Sequence, residues 1–243
     1  MNRSLTNFGL VLVGLVLSCQ ELPAHYLWVA VGKDTDDGNV ANIYFEEAPA
    51  PGDGHYLDHF LGTSDVWVRT LQDPSPEPMK ASEVKEDENR WMRVPLPEAD
   101  EYSIDSYGKF GVYEYGETKV LLHYYARNLK VSSHDTIHEL GQAEQMDLDL
   151  VPHDVGQQLE LKLLWKGKPV PERMIFVRGP KGYRKNIETD ANGRILLEIG
   201  DSGKYSFRSS VEEPTPGEEK GEAYALIRHN ITLLMNLPFG NAP

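Results

Sequence analysis

The chain has 243 residues, with 38 Asp or Glu against 24 Lys or Arg, a formal charge of −14. That balance argues against nucleic acid and anionic lipid as partners, because both are polyanions gripped through Lys and Arg. The one cysteine, Cys19, rules out an internal disulfide, and a chain of this length can bury a sufficient core without one.

The amino terminus reads as an export signal. Arg3 supplies the positive region, residues 8–17 an apolar run, and small residues follow at two possible cleavage points. Ten apolar residues are too few to span a bilayer, so no transmembrane helix is expected there or later in the chain. Val16-Leu17-Ser18-Cys19 resembles a bacterial lipobox, which would make the lipidated Cys19 the first mature residue and a membrane anchor. Leu22-Pro23-Ala24 fits the looser small-residue rule, with cleavage before His25. Both alternatives place the protein in the periplasm or cell envelope. Residues 1–24 are thus expected to be a signal peptide.

After His25 the periodicity is that of strands. Short runs rich in Val, Ile, Tyr, Phe and Trp at 26–31, 40–45 and 66–71 are separated by Gly, Pro, Asp and Asn clusters. Residues 73–89 carry Pro74, Pro76 and Pro78 among many charges and read as an exposed excursion. Strands are expected again at 90–94, 101–107 and 119–128, the last with the apolar and aromatic content of a strand covered on both faces. Residues 132–145 hold too few apolar side chains for a strand and read as a linker. A domain boundary is placed near 145–154, dividing a β-rich domain at 25–148 from a second at 149–243.

The second half is the more legible. Leu159, Leu161 and Leu163 alternate with Glu160 and Lys162, as in a half-buried strand. Turns follow at 166–169, 179–182 and 190–193, with strands between them and a closing strand at 224–234, enough for one antiparallel sandwich. The fold class expected is all-β: two β-sandwich domains, immunoglobulin-like or transthyretin-like, after the signal.

Gly167-Lys168-Pro169-Val170, Thr189-Asp190-Ala191-Asn192-Gly193-Arg194 and Gly203-Lys204-Tyr205 resemble the signature of the transthyretin-like or carboxypeptidase-regulatory-like sandwich, over about the last 85 residues. Ala24-His25-Tyr26-Leu27-Trp28, Leu121-Leu122-His123-Tyr124-Tyr125-Ala126 and the closing strand together are similar to a family of bacterial periplasmic proteins associated with nickel uptake (NikM-like). Where members of that family carry Gly-His followed by a pair such as Pro-Phe, this chain has Gly54-His55-Tyr56-Leu57. The resemblance implies a metal-related periplasmic role, with a membrane metal transporter as the partner.

Cleavage before His25 would put an α-amino group and an imidazole on one residue, a chelating pair suited to nickel, cobalt or copper. His55 and His59, spaced i, i+4, and His123 are the candidates for a second imidazole; Glu46 or Glu47 could add a carboxylate. The metal set expected is therefore His25, His55, His59, His123 and Glu47. His134, His138 and His153 read as surface residues in or near linkers. No nucleophile elbow, phosphate-binding loop, dinucleotide fingerprint or H-E-x-x-H helix occurs, so no enzymatic activity is expected. Two rival readings stay open: a non-catalytic envelope adhesion or scaffold module without metal, and a copper-dependent oxidative enzyme.

Overall fold

A computed structural model describes residues 25–34, 38–155 and 158–239. The segment read as an export signal, with Cys19, lies outside these residues. In chain order the strands are β1 (Tyr26–Asp34), β2 (Gly38–Glu46), β3 (Asp65–Thr70), β4 (Glu77–Pro78), β5 (Ser82–Glu86), β6 (Asn89–Pro95), β7 (Tyr102–Tyr115) and β8 (Thr118–Lys130). After a short helix, α1 (His134–Leu140), come β9 (Leu148–Val155), β10 (Gln158–Trp165), β11 (Lys168–Pro169), β12 (Met174–Arg178), β13 (Arg184–Glu188), β14 (Arg194–Glu198), β15 (Gly203–Glu213), β16 (Gly217–Glu219), β17 (Glu222–Tyr224) and β18 (Leu226–Leu237). The fold is all-β.

One eight-stranded sheet, ordered β13-β12-β15-β18-β8-β7-β3-β4, runs through both halves of the chain. A four-stranded sheet, β1-β2-β6-β5, covers one of its faces. Leu27, Ile43, Phe45 and Met92 from that sheet meet Val68, Ile104, Leu122 and Tyr124 from the long one. On the opposite face, β9, β10 and β14 pack Leu148, Leu161 and Leu197 against Val177, Phe207, Leu233 and Leu129. Strand β8 serves both cores. Its even positions, Leu122, Tyr124 and Ala126, enter the first, and its odd positions, Tyr125 and Leu129, the second. The period of two along a strand sends these sets to opposite faces, which is why this segment is apolar almost throughout.

Several expectations need adjustment. The charged stretch at 73–89 is exposed, yet it contains β5, which pairs with β6 from Ser82↔Arg93 to Glu86↔Asn89. The supposed linker at 132–145 contains α1, and the proposed boundary at 145–154 falls on β9. The closing strand β18 is antiparallel to β15 but parallel to β8, in register from Leu226↔Val120 to Met235↔Leu129. The C-terminal strands therefore do not close on themselves.

The odd-numbered face of β8 also holds Arg127, whose side chain is fully buried. Its guanidinium donates to the Asp105 carboxylate at 2.8 Å and the Asp149 carboxylate at 2.6 Å. It donates further to the backbone oxygens of Gly141 at 2.8 Å and Leu150 at 3.2 Å, and to Ser103 Oγ at 3.1 Å. Arg69 approaches Asp105 at 3.5 Å and donates to the Leu140 carbonyl at 3.0 Å. Gln145 donates to the other oxygen of Asp105 at 2.7 Å, and Ala143 N–H donates to Asp149 at 2.8 Å. One cation thus ties β7 and β8 to the end of α1 and to the start of β9. Breaking a buried pair by removing one partner leaves an uncompensated charge, a loss of about 3–5 kcal/mol. Arg127→Met is expected to lower unfolding free energy by about that amount in urea, and the double variant Arg127→Met, Asp149→Asn, which leaves Arg69 its Asp105 partner, to recover most of it.

Candidate metal centre

The helix α1 starts because Ser133 caps it. Its backbone is extended, at φ −147° and ψ 169°, and its hydroxyl accepts from Thr136 N–H at 3.3 Å. Thr136 Oγ1 in turn accepts from Ser133 N–H at 3.1 Å and from Ser132 N–H at 3.2 Å, taking the place of the usual Glu or Gln in a capping box. Ile137 and Leu140 are buried against the second core and set the helix on its apolar side. Arg69 and Arg127 bind the carbonyls of Leu140 and Gly141 at its other end.

With the helix fixed, His134 and His138 are one turn apart on a shared face. Strand β9 passes alongside and presents His153. It pairs with β10 alone, which leaves Pro152 at an edge where its missing N–H is harmless. The ring centroids of His134 and His138 lie 4.4 Å apart, those of His138 and His153 4.7 Å, and those of His134 and His153 5.3 Å. One ring nitrogen from each lies within 4.8 Å of the other two. His134 Nε2 and His138 Nε2 are 3.0 Å apart. Two imidazoles bound to one ion at 2.0–2.1 Å would have nitrogens separated by about 2.9 Å in cis-planar and about 3.3 Å in tetrahedral geometry.

His134 Nδ1 meets the Asp154 carboxylate at 2.5 Å. A proton on Nδ1 directed at Asp154 leaves Nε2 as the donor to an ion, the carboxylate–histidine arrangement that orients ligating imidazoles. His134 and His138 are exposed and His153 is partly so. Three nitrogen donors with solvent beside them leave at least one coordination position open.

The residues singled out from the sequence stand elsewhere. His25 lies 3.8 Å from the Glu46 carboxylate and packs against Phe45 and Tyr56 at 5.8 and 5.5 Å between centroids. His55 is exposed and edge-on to Tyr56 at 4.5 Å. His59, in a 3-10 turn at Leu57–His59, is stacked on Phe110 at 4.0 Å. Glu47 is exposed just past β2. His123 is on the odd face of β8, whereas His25 lines the same cavity as Leu122 and Tyr124 on the even face, so the sheet stands between them. Among the described residues, none of these five belongs to a group of three metal-ligating side chains.

His123, half-buried, instead joins the buried His229 in a polar pair at the seam between the halves. It is the register partner of His229 on β18, with ring centroids 4.9 Å apart. The Tyr107 hydroxyl and His123 Nδ1 are hydrogen-bonded at 2.7 Å, and the Tyr125 hydroxyl lies 3.4 Å from His229 Nδ1. Trp165 packs on His229 at 4.1 Å. Burial is the main force on both rings: it lowers His123 to about 4, helped by Lys109, and His229 to about 3, helped by His123 and Lys166.

No known family's sequence pattern matches the chain, and no curated protein matches it. Among solved structures it is similar to the BSP domain of a biofilm-associated protein at 8% identity, over 88% of this chain and 30% of that one, with a TM-score of 0.22. It is also similar to the FN1-FN3 domains of chicken CNTN1 at 9% identity, over 86% of this chain and 66% of that one, with a TM-score of 0.20. A pullulanase from Anoxybacillus sp. LM18-11 complexed with maltotriose matches at 10% identity, over 76% of this chain and 24% of that one, with a TM-score of 0.18. Likenesses at these TM-scores carry no information about function.

The depressed values of His123 and His229 fix a direction for the pH dependence of stability. Below about pH 6.5 the unfolded chain binds protons that the folded chain refuses, so stability is full above that pH and falls continuously toward pH 4. The pair is expected to remove roughly 3 kcal/mol between pH 6.5 and 5, about half from each ring. Denaturant unfolding across that interval should show a shallower pH slope in His123→Gln/His229→Gln than in the parent chain.

Proposed function

We propose that the protein is an exported, non-enzymatic binder of a late first-row transition-metal ion, held by His134, His138 and His153. The observation that carries this reading is the convergence of three imidazole nitrogens within 4.8 Å from two separately anchored segments. Neutral imidazole suits copper, nickel, zinc and cobalt, and an all-imidazole set with an open position suits an ion that must be taken up and released. The sequence resemblance to periplasmic proteins associated with nickel uptake supports the same role, with a membrane transporter as the recipient. Asp154 acts by orienting His134 rather than by coordinating. This reading sets the ion on α1 and β9 rather than at the amino-terminal residue that His25 suggests.

Titration calorimetry of the full chain with Cu²⁺, Ni²⁺ and Zn²⁺ tests this. One saturable site is expected, tightest for copper. His153→Ala should weaken binding by at least tenfold, and Asp154→Asn by about 10- to 100-fold. Affinity should fall in acid, because each ligand must give up a proton. Binding that survives removal of all three histidines and disappears in His25→Ala would move the ion to the amino terminus. Absence of saturable binding would favour a scaffold role.

A further inference from the structure

Beside the first core lies a cavity of about 450 Å³ that none of the three histidines lines. Its wall is aromatic. Phe45 and Tyr124 meet edge to face at 4.9 Å, Phe110 lies 5.7 Å from Phe45, and Tyr56 lies 5.8 Å from Phe110. Tyr113 and Tyr115, two residues apart on β7, stand at the mouth 39% and 41% exposed.

Phe110 owes its position to a break in the ladder. Lys109 pairs with His123 and Gly111 with Leu122, so Phe110 is the extra residue of a β-bulge. Gly111 takes φ +109°, a conformation that only glycine adopts without strain. The bulge turns Phe110 inward, where it is 8% exposed among the other rings. Bulges of this kind re-aim side chains at sites.

Glu114 is the carboxylate of the lining and His25 its one imidazole, and among the described residues no Lys or Arg lines the cavity. Outside it, the Arg228 guanidinium sits 4.9 Å from the Tyr115 ring, neutralised by Glu212 at 2.7 Å. That ring therefore already accepts one cation. Aromatic faces with a carboxylate, in a chain of charge −14, are suited to an organic cation whose charge is spread over methyl groups.

We infer that this cavity binds a small quaternary-ammonium compound, independently of the metal centre. The direct test compares choline with 3,3-dimethylbutan-1-ol, its uncharged analogue of the same shape, by calorimetry on the full chain. Choline should bind at one site about tenfold or more tightly than the alcohol. Tyr113→Ala, which removes an exposed side chain, and the isosteric Glu114→Gln should each weaken choline at least threefold without changing the melting temperature. His153→Ala should leave choline binding untouched. Equal affinity for the neutral analogue, no saturable binding of choline, or binding of cellobiose in its place would overturn the inference.

Discussion

Arg127 is the point on which the rest of the architecture depends. A guanidinium removed from water is tolerable only when its donors are met, and here two carboxylates, a hydroxyl and backbone carbonyls meet them. The carbonyls come from segments that no ladder holds together: the end of α1 and the start of β9. Because the donors of Arg127 have a rigid planar arrangement, the two segments are fixed relative to each other as well as to the sheet. His134 and His138 ride on one of them and His153 on the other. The spacing of the three imidazoles is therefore a consequence of a charge cluster set behind them.

The same strand explains why the two halves share one sheet. A strand buried on both faces cannot present a solvated side to either core, and β8 accordingly feeds apolar residues to both. Its parallel pairing with β18 continues the long sheet from one half to the other. At that seam His123 and His229 lie side by side, both kept neutral by burial, with only tyrosine hydroxyls as partners among the described residues. Aromatic and polar atoms there replace the aliphatic packing found elsewhere in the second core.

Much of the fold was legible because alternation is a direct record of half-burial. Leu159, Leu161 and Leu163 are buried and their polar neighbours are not. The turn at Asp190 was equally plain: its carboxylate accepts from Asn192 and Arg194 N–H at 2.8 Å each, and Gly193 sits at φ +70° with Val170 N only 2.7 Å from where a Cβ would be. The helix was harder, because only Ile137 and Leu140 mark its apolar side and Thr136 stands where a capping Glu is expected. The i, i+4 spacing of His134 and His138 was nonetheless visible, and Ser133 before it was a usable start signal. His153 could not be joined to them from sequence, since strand β9 is brought back to the helix by tertiary contacts, the Arg127 cluster and the shared apolar core. A lone arginine in the apolar run of β8 was the available sign that such a cluster existed. The amino-terminal histidines drew notice through their likeness to a family pattern, yet His25 packs against aromatic rings and His123 faces the other side of the sheet.

Crystals grown with zinc and measured for anomalous scattering would test the central claim most directly. A single strong peak about 2.0–2.1 Å from one nitrogen of each of His134, His138 and His153, with Asp154 still on His134 Nδ1, is the predicted result. A peak at His25 or His55, or none beside α1 at saturating zinc, would contradict it.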